Sequence, residues 1–481
     1  MRTLIHGDYV VAFDGDQHRI VRSGVVVYED DRILHVGRSF QGEVDTQIDA
    51  SESKLIIPGL VNIHMHAGIQ AGGRIVSDVG RRELFNAGYL NYAVAGQGKR
   101  PTPEDSAIGA RLTVWELLRT GSTTVVNVGG SVSMVEEMAR VAGEAGLRAY
   151  LGPGYTAADL YYDQDGLLRY DWDEGRGMSR LAEAATTAQA INGTYNGRIQ
   201  GMLFPNQVDA CSPDLLRATR KNANELGLGI QTHVAQNLLE FHEVLRRYGV
   251  TPVELLHQTG ILGPDTILGH CILTTGHPWL AFPRGNDLVL IADAGASVAH
   301  CPLALARRGS AMHSFSKYLG AGINMSIGTD TFPRDMLTEM RLASLFCKTN
   351  EGNATVATAK EVFDAATLGG AKALRRADLG RLAAGAKADI LIIDLAKPRI
   401  GAILDPIKTL VDCCVGEDVT TVVIDGQKVV ENGRALGFDE GRLVREVQKA
   451  AEAYWSAFPN WDVFGRGVDE VSPQSLDFWK E

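Results

Sequence analysis

Two textures of apolar and polar positions divide the chain. Up to about residue 54, short runs alternate apolar and polar residues, at 3–5, 9–12, 24–28, 32–36 and near Gln47. Turn clusters such as Asp14-Gly15-Asp16 and Glu29-Asp30-Asp31 separate them. A period of two with turn residues between the runs predicts β-sheet without helices. The texture returns at 389–395 and 419–430, the latter turning at Asp425-Gly426 as a hairpin does. The two chain ends therefore read as halves of one small sheet domain. Between them, near-continuous apolar runs alternate with segments of helical period. The strand candidates are 55–66, 122–128, 147–151, 199–203, 229–233, 266–270, 297–300 and 323–328. Helical periods lie at 108–119, 133–145, 179–191, 214–226, 238–248 and 336–347. Eight strands buried on both faces, with helices between, predict an α/β fold: a (β/α)8 TIM barrel with a small composite β-sandwich. The expected division is 1–56 and 383–435 for the sandwich halves, 57–382 for the catalytic barrel, and 436–481 for a helical tail. That tail carries Trp455, Trp461, Phe464 and Trp479, read as cover for a subunit or domain surface or as ordinary core. The polar stretch 155–177 reads as an extended loop over one face.

Composition narrows the function classes. At 481 residues, 45% hydrophobic, the chain has ample core for such a barrel. Its formal net charge is −11, and no basic run exceeds pairs such as Arg307-Arg308, which argues against nucleic acid as a partner. Six cysteines without a CxxC read as thiols of a reducing compartment rather than a disulfide framework. No stretch has the length of a membrane span, and the first residues lack a signal-peptide pattern, so the cytoplasm is the expected location.

The chemistry starts at Leu-Ile-Ile-Pro-Gly-Leu-Val-Asn-Ile-His-Met-His, residues 55–66. Positions i and i+2 of a strand share a face, so His64 and His66 aim two imidazoles at one point, half of a metal site. An isolated HxH carries little weight by itself. The other histidines change that: His233, His270 and His300 end the fifth, sixth and seventh strand candidates, and Asp330 follows the eighth. In a (β/α)8 barrel all these positions meet at the C-terminal rim, where the active sites of this architecture lie.

With these motifs, and with Leu-Gly-His-Cys at 268–271, Ala-His-Cys-Pro-Leu-Ala-Leu at 299–305 and Gly-Thr-Asp at 328–330, the chain resembles the amidohydrolase superfamily. The resemblance is to the cytosine deaminase-like, chlorohydrolase and triazine-hydrolase branch, and extends to phenylurea and thiocarbamate hydrolases. It covers about residues 1–435 and implies that His64, His66, His233 and Asp330 hold one divalent metal ion, zinc first, iron or cobalt next. It implies Asp330 as the proton acceptor from a metal-activated water and His270 as the group facing the developing charge. His300, Gln236 and Thr331 are then expected at the substrate, although His300 equally suits a role fixing the loop beneath it. Binuclear relatives use a lysine on the fourth strand; this chain has no lysine between Pro101 and Arg220, which favours one metal. A homo-oligomer, dimer or tetramer, is expected by the same analogy.

One departure shapes the expected reaction. Deaminating relatives carry His-x-x-Glu after strand five, and this chain has His233-Val-Ala-Gln236. An amide donates a hydrogen bond but supplies no proton. Glu240 is a possible substitute, one helical turn further from the metal. The leading expectation is therefore hydrolysis of a C–N bond in a small urea, carbamate, thiocarbamate or amide. The alternative is a deaminase or dechlorinase of an aminated N-heterocycle, and a minor alternative is a non-catalytic scaffold.

Overall fold

The computed structural model describes residues 1–75, 78–79, 102–282 and 285–479. Tyr89 and Tyr92, which the sequence offers as loop-packing or pocket-lining aromatics, lie outside them. Four strands open the chain: β1 Arg2–Phe13, β2 His18–Glu29, β3 Arg32–Gly37 and β4 Thr46–Pro58. Then follow β5 Leu60–Met65, β6 Ser122–Asn127, β7 Arg148–Leu151, β8 Gly154–Tyr155, β9 Ala158–Tyr162, β10 Leu168–Trp172 and β11 Ile199–Pro205. After these come β12 Gly229–Val234, β13 Thr266–His270, β14 Ser297–His300 and β15 Asn324–Ile327. The last four are β16 Ile390–Asp394, β17 Val419–Ile424, β18 Gln427–Glu431 and β19 Arg434–Ala435.

The barrel runs β5-β6-β7-β11-β12-β13-β14-β15, all pairs parallel. These match the eight predicted strands, except that 55–58 of the first candidate belong to β4 of the end-sheet. The ring closes between the first and the last: Met65 bridges Asp330, His64 O accepts from Thr329 N and Asp330 N at 2.9 Å each, and His66 N donates to Asp330 O at 2.7 Å. Strands of both chain ends form one eight-stranded sheet, β19-β18-β17-β16-β4-β1-β2-β3. Asp425-Gly426 turns the β17–β18 hairpin with both φ positive, at 47° and 74°. The chain passes from sheet to barrel at Gly59, where a Cβ would lie 2.1 Å from the Thr123 hydroxyl, so no larger residue fits without moving β6.

The runs at 3–5 and 9–12 belong to one strand, β1, which pairs with both β2 and β4 around an irregularity between Gly7 and Tyr9. The stretch 155–177 is not a loop: β9 and β10 pair antiparallel and helix Glu174–Ile191 begins before it ends. The turn is tied by Asp163, whose Oδ1 accepts from Asp165 N and Leu167 N and whose Oδ2 accepts from Arg169 Nε at 2.6 Å. A carboxylate serving its own turn gives a polar segment a regular structure.

The tail folds back over the barrel. Helix Glu440–Ala457 lies against helix Pro103–Arg119, with Arg111 paired to Glu446 at 2.7 Å and Trp115 Nε1 donating to Glu440 at 3.1 Å. Trp455 Nε1 donates to Ala71 O at 2.9 Å, and Trp461 is buried with Ile75, Phe458 and Val471. Phe464 and Trp479 stay exposed. Among the described residues no helix is long and apolar enough to cross a membrane.

Candidate metal centre

His64 and His66 leave the end of β5 with ring centroids 5.4 Å apart, and His233 meets them from the end of β12. One ligand atom from each falls within 4.8 Å of the others. Asp330 Oδ1 lies 3.4 Å from His66 Nε2, and its Oδ2 lies 3.8 Å from His270 Nε2. The predicted group therefore meets at one point.

Tautomers test whether the group fits a cation. His66 Nδ1 lies 2.9 Å from Val128 O, and His233 Nδ1 lies 2.5 Å from Asn206 O. A carbonyl only accepts, so each Nδ1 carries the proton and each neutral ring turns an Nε2 lone pair inward. Those two Nε2 atoms face each other at 3.1 Å. Two lone pairs at that distance repel unless an electrophile lies between them. Both nitrogens of His64 and of His270 are also buried without a hydrogen-bond partner among the described residues. Three imidazoles and a carboxylate arranged in this way suit a divalent cation. A second triad, His64, His270 and Cys301, is equally close. His66, His233 and Asp330 line the cavity and Cys301 does not, so the first set is the one open to a small molecule.

Burial keeps these rings neutral, as ligation requires. Desolvation takes His233 to about 4, His270 to about 3, and His64 and His66 below their ordinary value. For Asp330 burial pushes upward, but its neighbours His270, His66, Arg308 and His233, Arg308 being the permanent cation among them, outweigh it and hold the carboxyl low. The site is also strained. Asp330, His270 and Ala235 are non-glycine residues with φ of 55°, 66° and 50°, conformations that cost about 1–3 kcal/mol each and collect at functional sites.

The strain at Ala235 has an identifiable support. Glu240, fully buried, accepts from Ala235 N in a very short bond and from Gln236 N at 2.8 Å. Burial, then the charge of Asp209, raise its carboxyl to about 8. Glu240 does not line the cavity, and its oxygens are engaged by backbone. It acts here as a positioning residue, not the substitute acid that its spacing allowed. Arg334 is likewise structural: its Nη1 pairs with Glu116 at 2.6 Å and its Nη2 donates to His66 O at 2.7 Å.

A cavity of about 500 Å³, within the usual range for small-molecule sites, opens onto His66, His233 and Asp330. Gln236 and Thr331, expected at the substrate, are among its lining residues. His300 does not; it is buried against Phe315 with ring centroids 5.9 Å apart. That leaves the loop-fixing alternative. Sequence reasoning missed Gln70, Tyr454, Arg307, Arg308 and Phe332, all in the lining. The Arg307-Arg308 pair was visible, but only as charge. Nothing local marked Tyr454, because what brings it to the cavity is the packing of the tail. Truncating the chain after Gly437 is therefore expected to leave the barrel folded but to weaken substrate binding about tenfold or more, read as a rise in KM with metal content unchanged.

Comparison with known proteins agrees with this architecture. The amidohydrolase family model matches residues 55–429. The chain is 31% identical over 453 residues to a 5'-deoxyadenosine deaminase of Methanosarcina mazei, covering 93% of this chain and 97% of that protein. It is 32% identical over 434 residues to a 5-methylthioadenosine/S-adenosylhomocysteine deaminase of Thermococcus sibiricus, covering 89% and 94%. Among solved structures, a zinc-bound adenosine deaminase from Xanthomonas campestris superposes with a TM-score of 0.77 at 21% identity, covering 94% of this chain and 98% of that one. A zinc-bound atrazine chlorohydrolase from Arthrobacter aurescens superposes with a TM-score of 0.75 at 22% identity, covering 93% and 100%. The chain belongs to the amidohydrolase family and is a hydrolase of carbon–nitrogen bonds other than peptide bonds.

Proposed function

We propose that the protein is a zinc-dependent deaminase that replaces the exocyclic amine of an N-heterocycle by oxygen. The observation that carries the chemistry is the pair of facing Nε2 lone pairs of His66 and His233, with Asp330 beside them on the cavity wall. The substrate class is supported by the curated relatives, whose names are those of adenosine-type deaminases. This reverses the order expected from Gln236 alone, which put acyclic ureas and carbamates first.

His64, His66, His233 and Asp330 would hold a divalent ion, which would supply Lewis-acid activation that lowers the pKa of a water towards neutrality. The remaining work belongs to the side chains. Asp330 accepts the water's proton as the oxygen adds to the ring carbon, and returns it to the amine, which leaves as ammonia when the C–N bond breaks. His270, neutral and buried behind the cavity lining with its Nε2 3.8 Å from Asp330 Oδ2, acts from beside that carboxylate on the charge that builds on the adding oxygen. Gln236 donates a hydrogen bond to the ring nitrogen in place of a proton. An amide stabilises that nitrogen less than an acid would, which confines efficient turnover to rings already short of electrons.

Gln236 also sustains a second reading, hydrolysis of an acyclic urea or carbamate, which needs no ring protonation. A release assay with zinc-loaded protein on aminopurine nucleosides, aminotriazines, phenylureas and carbamates separates the two. Ammonia from the heterocycles is the expected result; amine release from the acyclic compounds alone would replace the deaminase by the second reading. Gln236→Glu is expected to raise deamination of an unactivated aminopurine on the order of 10²-fold, the usual worth of a positioned acid. An unchanged rate would show that this position does not face the ring.

A further inference from the structure

The β9–β10 hairpin is fastened to the helix that carries Glu240. Arg247 of helix Leu238–Tyr248 lies over the Trp172 ring of β10, 3.9 Å from its centroid. Tyr170, two residues earlier, stacks beside Trp172 with centroids 6.3 Å apart, and its hydroxyl donates to Asp209 Oδ2 at 2.6 Å. Asp209 sits in the single helical turn Val208–Ala210, which follows β11 and packs against the same helix. Hairpin, turn and helix thus bring together two buried carboxyl groups, Asp209 at 4% exposure and Glu240 with none. After burial, the charge of Asp209 acts most strongly on Glu240.

The two Glu240 oxygens accept from Ala235 N and Gln236 N, in the turn where Ala235 has its positive φ and from which Gln236 joins the cavity lining. An ionised carboxylate is the stronger acceptor for both bonds, so the charge of Glu240 decides how firmly the turn is held. Two neighbouring buried carboxyls resist ionising together, which ties the charge of one to that of the other. Burial raises Asp209 to about 6; burial and then the Asp209 charge raise Glu240 to about 8. Tyr170, Cys211 and Cys271, which face the pair from β10, from the turn and from the end of β13, are pushed up by burial and stay protonated. Glu243, on the same helix as Glu240, adds negative charge and is paired with Arg246 at 2.8 Å. From the adjoining helix Pro252–Gln258, Glu254 is engaged by Thr251 N and His257 is exposed.

We infer that Asp209 is a positioning residue for Gln236: its charge governs that of Glu240, and the ionised Glu240 holds the Ala235–Gln236 turn that presents the amide to substrate. The inference rests on Gln236 facing the substrate, as in the deaminase reading, but not on which C–N bond is cut. It also gives the β9–β10 hairpin, a polar stretch as sequence, a part in the site, since the hairpin holds Asp209 through Tyr170.

The test is hydrogen exchange of zinc-loaded protein across pH, read in the peptide that contains Ala235 and Gln236 and corrected for the intrinsic pH dependence of exchange. Protection of these two amides is expected to rise as the pH passes through about 8, where Glu240 ionises. Asp209→Asn removes the like charge, so the rise is expected about one pH unit or more lower. Asp209→Ser also removes the charge but leaves more room, and should move the rise the same way even if the Asn variant folds poorly. In Glu240→Gln protection should be low and show no rise. The rate of ammonia or amine release, from whichever of the heterocyclic and acyclic compounds above turns over, is expected to shift with the protection. A merely structural Asp209 would instead lower the rate at every pH alike. A rise left in place in both Asp209 variants would overturn the inference, as would a shifted rise beside an unshifted rate profile. Shifted protection with no compound turned over would keep the hold of Asp209 on the turn and remove the deaminase; ammonia from a heterocycle with protection unshifted would do the reverse.

Discussion

Asp330→Asn is expected to lower turnover on the order of 10²–10⁴-fold, the usual contribution of a positioned acid–base group. The exchange keeps the shape of the side chain and removes both its charge and its capacity to take a proton. Backbone closure of the barrel should survive, because the bonds from Asp330 N to His64 O and from His66 N to Asp330 O do not involve the carboxyl. His64→Ala attacks the same centre differently, taking away a ring with two unpartnered buried nitrogens. It is expected to lower metal content as well as activity, whereas Asp330→Asn should lose activity in larger proportion than metal. Elemental analysis beside the release assay measures both. Full metal content with wild-type turnover in either variant would remove that residue from the centre.

The second large effect lies away from the site. Arg148, on β7, is 1% exposed and ties the barrel to the end-sheet, as Arg198 does through Asp425 at 3.8 Å. Its guanidinium contacts both Asp389 oxygens, donates to Asp425 Oδ1 at 2.5 Å and to Thr124 Oγ1 at 3.1 Å, and Asp389 in turn accepts from Asp425 N. Arg148→Met leaves two carboxylates with reduced compensation in a buried place. Breaking a buried pair from one side costs about 3–5 kcal/mol. The variant should show a matching loss of unfolding free energy in urea, while any protein still folded retains the pH–rate profile of the wild type. Arg148→Lys, keeping the charge but not the fork, should lose less. A wild-type midpoint for Arg148→Met would mean that water compensates the two aspartates.

Much of the fold is legible in the chain because its signals are local. Each barrel strand is a short apolar run ending at a residue whose type matters, and period two puts His64 and His66 on one face with no tertiary information. The catalytic rim follows from architecture, since equivalent strand ends of a closed parallel barrel lie together. The hairpin at Asp425-Gly426 and the helix Leu238–Tyr248 are similarly written in neighbouring residues. Where prediction failed, the deciding contact was a pairing that periodicity does not encode, as in the β9–β10 hairpin, where the polar texture of exposed strands resembles that of a loop.

The sequence by itself determined the barrel, the end-sheet and the convergence of four candidate ligands, because spacing along a strand and order around a barrel are enough. Only the tertiary structure decided what surrounds them. Glu240 turned out to brace the Ala235–Gln236 backbone rather than face substrate, and His300 packs beside Phe315 rather than in the cavity. Tyr454 reaches the wall because helix Glu440–Ala457 folds back on a segment 384 positions earlier, through Trp455 and Ala71. Cavity walls are built from residues remote in the chain, and their side-chain directions depend on packing that no local pattern carries. The reaction class is written in strand ends, and the shape and charge that select its substrate are written in contacts between distant segments.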